Sequence, residues 1–184
     1  NKLVLVFMII LFGCKSSPEY IYEREYDLLD GSQVSLEKLK INKYNIFIAF
    51  ANNCPVCKAS IPVIKQISKD YEDVGMVLFY PANQRDKRIN DFINGLLPEG
   101  TFQIKDKNKY LTESLKAIST PQAFIIDNLG KVHYQGAINN SVFTNYRKNY
   151  TSEKAYLLNA LDTLVTLNKP LIQHETKAVG CFIE

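Results

Sequence analysis

The sequence predicts a single α/β domain in which a central mixed β-sheet is flanked by helices. Residues 44–51 and 75–80 are apolar runs on either side of a segment with helical spacing, and such a unit joins two parallel strands. Residues 123–127 and 131–135 flank an Asn-Leu-Gly turn, which predicts an antiparallel hairpin. Parallel and antiparallel pairs in one short chain indicate a mixed sheet.

Length and charge limit the classes of protein to which the chain could belong. Its 184 residues are 46% hydrophobic, which is enough for one domain with a real core. The formal net charge is only +3, and the Lys and Arg residues are scattered along the chain. We therefore expect no nucleic-acid partner, because such proteins concentrate their positive charge on one face.

Further elements are predicted on both sides of this centre. They are an edge strand over 20–28, a turn at Asp30-Gly31, an amphipathic piece over 34–39, a helix over 85–96, a strand over 102–104 and a helix over 110–117. Thr151 or Ser152 can cap a last helix, whose predicted apolar face is Leu157, Leu161, Leu164 and Val165. We expect the domain to end, beyond Pro170, in an irregular tail.

The chemistry of the chain is concentrated in the segment Cys54-Pro55-Val56-Cys57-Lys58. It lies where the strand 44–51 meets the following helix, so the two sulfur atoms are one helical turn apart. Cys54 would lie at the helix N-terminus, where unpaired N–H groups favour a thiolate, and Lys58 adds a positive charge. This arrangement predicts reversible thiol–disulfide exchange, with Cys54 accessible and Cys57 shielded.

The first residues have the pattern of an export signal. A continuous apolar run covers residues 3–12, which is too short to span a bilayer. Leu11-Phe12-Gly13-Cys14 then resembles the lipobox of bacterial lipoproteins, so we expect a signal peptide over 1–13, a lipid on Cys14 and a tether over 14–19. The alternative is an ordinary secretory signal with a chance cysteine. Either interpretation places the domain, residues 20–184, outside the cytoplasm, where disulfides persist.

These residues together resemble the thioredoxin fold. Pro62, five residues after Cys57, matches the proline inside the active-site helix of that fold, and Thr120-Pro121 matches the loop with a cis-proline that faces the cysteine pair. Residues 30–36 are similar to the lead-in of the TlpA/ResA-type and redoxin branches. Residues 176–183 are similar to the end of peroxiredoxin-like redoxin proteins, in which Gly-Cys is followed by a hydrophobic residue.

The resemblance implies an oxidoreductase without a cofactor that exchanges disulfides with protein substrates and with an electron donor. Cys54 would attack the substrate disulfide and Cys57 would resolve the mixed disulfide. The backbone of Thr120, next to Pro121, would pair with an extended substrate. Pro55 and Val56 would tune the reduction potential from within the active-site loop.

Three positions depart from the families that the chain resembles. Asn53 replaces the usual Trp, and Ile48 replaces the buried Asp that relays a proton to the inner cysteine of thioredoxins. Ala51 replaces the Thr that lies three residues before the peroxidatic cysteine of peroxiredoxins. A thiol peroxidase that uses Cys54 is therefore the second interpretation of the chain.

Metal binding is a lower alternative. A copper-delivery protein of the Sco type would use Cys-x-x-x-Cys and a distant His, and the spacing here is one residue shorter. A zinc site would need ligands from Cys181, His133 and His174 in addition to the cysteine pair. We expect no metal site.

Cys181 has no obvious partner in the mature chain. It is either a small residue packed under the tail, or a third redox thiol brought back to Cys54 by a turn at Gly180. The sequence favours the packed residue, since nothing in it determines where the tail lies.

Overall fold

A computed structural model of the protein describes residues 21–81, 97–140, 154–172 and 174–183. In chain order its elements are β1 (Glu25–Asp27), β2 (Gln33–Ser35), a 3-10 helix (Glu37–Ile41), β3 (Tyr44–Ala49), α1 (Pro55–Asp70), β4 (Gly75–Pro81), β5 (Phe102–Asp106), α2 (Tyr110–Ser114), β6 (Ser119–Thr120), β7 (Gln122–Asp127), β8 (Val132–Gly136), α3 (Tyr156–Leu161) and β9 (Cys181–Phe182).

The central sheet has five strands in the order β5-β4-β3-β7-β8. Strands β3, β4 and β5 are parallel neighbours, and β7 is antiparallel to both β3 and β8. The parallel pair β3–β4 is connected through α1, and the β7–β8 hairpin closes at a turn where Gly130 has a φ of 87°. The predicted mixed sheet flanked by helices is confirmed.

Two hydrophobic cores lie on opposite faces of this sheet, and β3 contributes to both. Ile46 and Ile48 pack with the apolar side chains of α1 and α3 on one face. Phe47 and Ala49 pack on the other face, where the N-terminal elements and α2 lie. All four are 0% exposed. Alternate residues of a strand point to opposite faces, so a continuous apolar run serves a strand that is covered on both sides.

The N-terminal extension is a small hairpin, and the strand predicted over 20–28 is too long. Among the described residues of this range, 21–28, only Glu25–Asp27 is a strand, and it pairs with β2 in an antiparallel register. The turn between them was predicted correctly: the Asp30 carboxylate accepts hydrogen bonds from the backbone N–H and the hydroxyl of Ser32, and Gly31 has a φ of 90°. The predicted amphipathic piece 34–39 divides between β2 and the 3-10 helix.

The last helix is present, but its N-cap is Ala155 rather than Thr151 or Ser152, and one residue of its predicted buried face differs. Leu157, Leu161 and Leu164 are buried, but Val165 is 37% exposed. After α3 the chain continues as a π-helical turn, Asp162–Thr166, whose wider hydrogen bonding shifts the positions that face the core. The predicted helix 85–96, the caps Thr151 and Ser152, and the predicted signal, tether and Cys14 lie outside the described residues. No helix in the described part is long and apolar enough to cross a membrane.

The described part of the C-terminal tail is mostly irregular, as predicted, but it makes two backbone pairings with the rest of the domain. It first runs beside β8, where the Gln135 N–H donates to His174 and the Thr176 N–H donates back to Gln135, at 2.9 and 3.1 Å. It then forms β9, which is antiparallel to β6. Both β8 and β6 offer backbone groups at a free edge, and the tail satisfies them. Such a pairing between distant segments has no local sequence pattern.

Candidate active site

The loop between β3 and α1 places Cys54 at the N-cap of the helix. Phe50 is tied to the neighbouring strand by a hydrogen bond from its N–H to the Phe79 carbonyl, 2.9 Å long. Cys54 itself is extended, with φ −89° and ψ 117°, and its carbonyl accepts the first helical hydrogen bond, from Lys58 at 3.2 Å. Pro55 occupies the first helical turn, where a missing N–H costs nothing.

Hydrogen bonds to the Cys54 sulfur make it the acidic thiol of the site. The Cys57 thiol is the largest contributor, and the Cys181 thiol and the backbone N–H groups of Cys57 and Cys181 add to it. Together they overcome the opposing effect of burial and lower the pKa of Cys54 to about 4. When it is protonated, Cys54 can donate to the Thr120 carbonyl oxygen at 3.1 Å.

Cys57 is held in the opposite protonation state, as a neutral thiol. Burial, and then the hydrogen bond to Cys54 and its charge, raise the pKa of Cys57 well above the usual range of a thiol. Its sulfur accepts a hydrogen bond from the backbone N–H of Ala51 at 3.3 Å. The reduced pair therefore consists of a Cys54 thiolate and a neutral Cys57 thiol.

One expectation about Cys54 is wrong in this conformation. The residue was expected to be accessible, but it is 0% exposed, as is Cys57. Cys181 is the reason, because its sulfur lies 2.6 Å from the Cys54 sulfur on the outer side of the site. Cys181 is itself exposed, so it is not a small residue packed under the tail.

The Thr120-Pro121 peptide bond is cis, as predicted. Besides its carbonyl contact with Cys54, Thr120 donates from its hydroxyl to the Cys181 carbonyl at 3.4 Å and forms a side-chain hydrogen bond with Cys57. Thr120 therefore contacts all three cysteines. Pro55 and Lys58 are exposed, and Val56 is half-buried against the core that contains the pair.

Tyr80 is a polar neighbour of the site that the sequence analysis missed. It lies near the end of β4, is 3% exposed, and donates to the Gln103 side-chain oxygen at 3.3 Å. Burial raises the pKa of Tyr80 above its usual range, and the nearby Cys57 contributes. Its position in the sequence could have indicated this. The strands β3 and β4 are parallel, so residues at the C-terminal ends of both strands lie at the same edge of the sheet.

The two histidines that were weighed as zinc ligands belong to the β8 region of the fold. His133 Nε2 lies 2.8 Å from an Asp127 carboxylate oxygen, and His174 Nδ1 lies 3.0 Å from the His133 carbonyl oxygen. Within the described ranges, no three His, Cys, Asp or Glu side chains are grouped so that they could hold a metal ion.

Several solved structures share this fold, and the descriptions of two of them name a thioredoxin and a disulfide oxidoreductase. An uncharacterized conserved protein from Geobacillus kaustophilus is 20% identical, with a TM-score of 0.72 over 88% of each chain. The exposed lipoprotein thioredoxin Etrx1 of Streptococcus pneumoniae is 20% identical, with a TM-score of 0.54 over 76% of this chain and 98% of that one. A secreted Mycobacterium tuberculosis disulfide oxidoreductase is 14% identical, with a TM-score of 0.53 over 62% and 83%.

A comparison with curated proteins finds no match. The family model named Redoxin, however, matches residues 20–149, which is most of the chain and includes β3, the cysteine pair and the Thr120-Pro121 loop. A thioredoxin-like sheet carries at its centre a thiolate, a neutral resolving thiol and a cis-proline loop. The protein thus belongs to the Redoxin family and is an oxidoreductase of the thioredoxin type.

Proposed function

We propose that the protein exchanges disulfides with protein substrates outside the cytoplasm, with Cys54 as the nucleophile and Cys57 as the resolving thiol. The observation that carries the proposal is the set of hydrogen bonds that holds Cys54 as a thiolate directly beside the neutral Cys57. A thiolate that is formed at neutral pH, next to a second thiol, is the requirement for rapid two-step exchange.

In the first step the Cys54 thiolate attacks one sulfur of the substrate disulfide. A Cys54–substrate disulfide forms, the substrate S–S bond breaks, and the second substrate sulfur leaves as a thiolate that takes a proton from water. In the next step Cys57 loses its proton and attacks the Cys54 sulfur. The Cys54–Cys57 disulfide forms and the reduced substrate leaves; the electron donor, another dithiol, then reduces the pair.

The surroundings of the pair favour a protein as the substrate. Strand β6 lies beside Cys54, and an extended peptide could add as a strand to its backbone edge in place of β9, which occupies that edge in this conformation. Two large apolar side chains, Ile118 and Phe182, lie beside this edge and are 63% and 86% exposed. Exposed apolar side chains around a reactive thiol can bind the apolar side chains of an unfolded or flexible protein segment.

The test is to trap the mixed disulfide. In a Cys181→Ser background, which removes the other thiol beside Cys54, Cys57→Ser should form a stable covalent adduct with a model protein that contains disulfides, because no resolving thiol is left. Cys54→Ser in the same background should form none, and the variant that lacks Cys54, Cys57 and Cys181 is the negative control. An adduct that depends on Cys57 and survives in Cys54→Ser would reverse the roles. Equal adduct formation by both variants would overturn the proposal.

For the location we propose a lipid anchor on Cys14, with residues 1–13 as the signal peptide and 14–19 as the tether. The support is the apolar run that ends at Gly13-Cys14, together with the description of two structural neighbours as a secreted protein and an exposed lipoprotein. The full chain should fractionate with membranes, and Cys14→Ala should be found in the soluble fraction. Full-length protein that is soluble in both cases would refute the anchor.

A further inference from the structure

A cycle of two cysteines leaves the third thiol at the site without a role. Cys181 is 127 residues from Cys54 in the chain, yet the two sulfur atoms are 2.6 Å apart. The contact is part of a strand pairing, in which Thr120 is opposite Cys181 and Ser119 is opposite Phe182. A further hydrogen bond, from the Ile183 N–H to the Ile118 carbonyl at 3.1 Å, extends the pairing. The tail therefore occupies the backbone edge that a substrate strand would use.

Contacts upstream hold the tail in this place. The Thr176 hydroxyl lies 2.7 Å from the Tyr134 hydroxyl and accepts a hydrogen bond from the Ala137 N–H at 3.0 Å. The Thr176 backbone passes so close to Gly136 that a β-carbon there would collide with it. Four residues later, Gly180 passes in the same way over the Thr120 carbonyl. Cys181 is thus delivered to Cys54 by a segment that is anchored at two points.

We propose that the strand Cys181–Phe182 is a tethered substitute for the substrate strand, and that Cys181 is a third redox thiol that forms a Cys54–Cys181 disulfide. This inference rests on the proposed function, because it needs Cys54 to take part in thiol–disulfide exchange. It gives the site a self-blocked state that opens when a protein substrate displaces the tail.

The proposed step is an exchange within the chain and needs no outside oxidant. Starting from the Cys54–Cys57 disulfide, the Cys181 thiolate attacks the Cys54 sulfur. The Cys54–Cys181 bond forms, the Cys54–Cys57 bond breaks, and Cys57 leaves as a thiolate that is reprotonated. One disulfide and one thiol are present before and after, so no electrons are gained or lost.

The state of Cys54 controls when this step occurs. Although Cys181 is exposed, its sulfur is partly buried against Cys54; this burial raises the pKa of Cys181 in the reduced protein to about 11, and the hydrogen bond and charge of Cys54 add to the effect. Cys181 then acts as a hydrogen-bond donor that stabilises the Cys54 thiolate. When Cys54 enters a disulfide its charge disappears, and that part of the increase in the Cys181 pKa is lost. Cys181 consequently becomes a better nucleophile only after Cys54 has been oxidised.

The experiment is disulfide mapping of the full chain. The protein is equilibrated with reduced and oxidised glutathione, quenched in acid and digested, and the disulfide-linked peptides are identified. Cys57→Ser should contain the Cys54–Cys181 peptide as its main oxidised species. The wild type should contain both Cys54–Cys57 and Cys54–Cys181 peptides. If Cys57→Ser forms only glutathione adducts on Cys54, the proposal is wrong.

A second measurement tests the blocking of Cys54 without relying on a disulfide. In the reduced protein, Cys181→Ser should react with a bulky disulfide reagent at Cys54 at least about fivefold faster than the wild type, the factor that corresponds to about one lost hydrogen bond. Lys177→Ala, an exposed change in the same tail, should react like the wild type. Equal rates in all three proteins would show that the tail does not block the site.

The failure of this proposal and the failure of the proposed function give different results. If only the present proposal fails, the wild type still forms Cys54–Cys57 and Cys57→Ser still traps substrate through Cys54, but neither contains a Cys54–Cys181 peptide. If the proposed function fails, Cys57→Ser traps no substrate protein even in combination with Cys181→Ser, which removes the tail thiol.

Discussion

Gly180 lies directly against Thr120, so that a β-carbon at position 180 would overlap the Thr120 carbonyl group. The same carbonyl oxygen is 3.1 Å from the Cys54 sulfur, and the residue after Gly180 carries the sulfur that covers Cys54. The absence of a side chain at one position of the tail therefore allows the tail to reach the nucleophile.

Gly180→Ala should expose Cys54. The added methyl group meets rigid backbone atoms on both sides of the Thr120–Pro121 bond, so the tail must move away from β6. We expect alkylation of Cys54 in the reduced protein to become about tenfold faster, which is the effect of about 1.4 kcal/mol of lost tail binding.

The matched control for Gly180→Ala is Lys177→Ala, which changes an exposed residue of the same segment. Its alkylation rate should equal that of the wild type. Peptide mapping must show that the faster label is on Cys54 rather than on Cys181. A Gly180→Ala protein in which Cys54 is as slow as in the wild type would contradict the close contact with Thr120.

The reduced protein should titrate one thiol in the acid range. Since the pKa of Cys54 is about 4 and that of Cys57 lies well above the usual range, the ultraviolet absorbance of the thiolate should fall around pH 4 and not around pH 9. Cys54→Ser should lack this transition. A midpoint near that of an ordinary thiol would contradict the hydrogen-bonded thiolate.

The same pKa predicts how stability depends on pH. A pKa that is lower in the folded state stabilises the reduced protein above the unfolded pKa of about 9, and this stabilisation is lost as the pH falls towards 4. The reduced wild type should therefore lose more stability than Cys54→Ser when both are acidified over this range. Equal losses, measured by urea unfolding, would contradict the assignment.

Asp106 should be important for stability. It is 3% exposed, and its carboxylate accepts hydrogen bonds from the Leu111 N–H and from both the N–H and the hydroxyl of Thr112, at 3.0, 2.8 and 2.7 Å. Asp106→Ala should lower the free energy of unfolding by about 2 kcal/mol, because three donors at the start of α2 lose their acceptor. The exposed control Glu72→Ala should change it by less than about 0.5 kcal/mol.

Protein disulfides should be better substrates than hydrogen peroxide. The residue three positions before Cys54 is Ala51, which has no hydroxyl, and its N–H is directed to Cys57. We expect turnover of an insulin-type disulfide with a dithiol donor, and peroxide consumption close to that of a free thiol. Rapid peroxide consumption, together with a sulfenic acid on Cys54 in Cys57→Ser, would favour the peroxidase.

Residues that act through local geometry could be predicted from the sequence. The spacing of Cys54 and Cys57 at the start of a helix determines which thiol lies at the N-cap, and the structure agrees with that placement. The apolar runs 44–51 and 75–80 determine a buried parallel pair, and Thr120-Pro121 could be matched to a known loop. Each of these inferences needs only a few neighbouring residues, whose conformations are limited by sterics and hydrogen bonding.

The position of the tail was decided by the tertiary structure. No pattern in residues 174–183 shows that Thr176 bonds to Tyr134 or that Cys181 pairs with Thr120, and the sequence favoured a packed Cys181 in an irregular segment. The burial of Cys54 follows from the same pairing. Strand addition uses backbone groups that every residue has, so its partners are selected by shape and by the free edges of the folded domain. The local sequence therefore determined the reactive pair, and only the folded chain brought the third thiol to it.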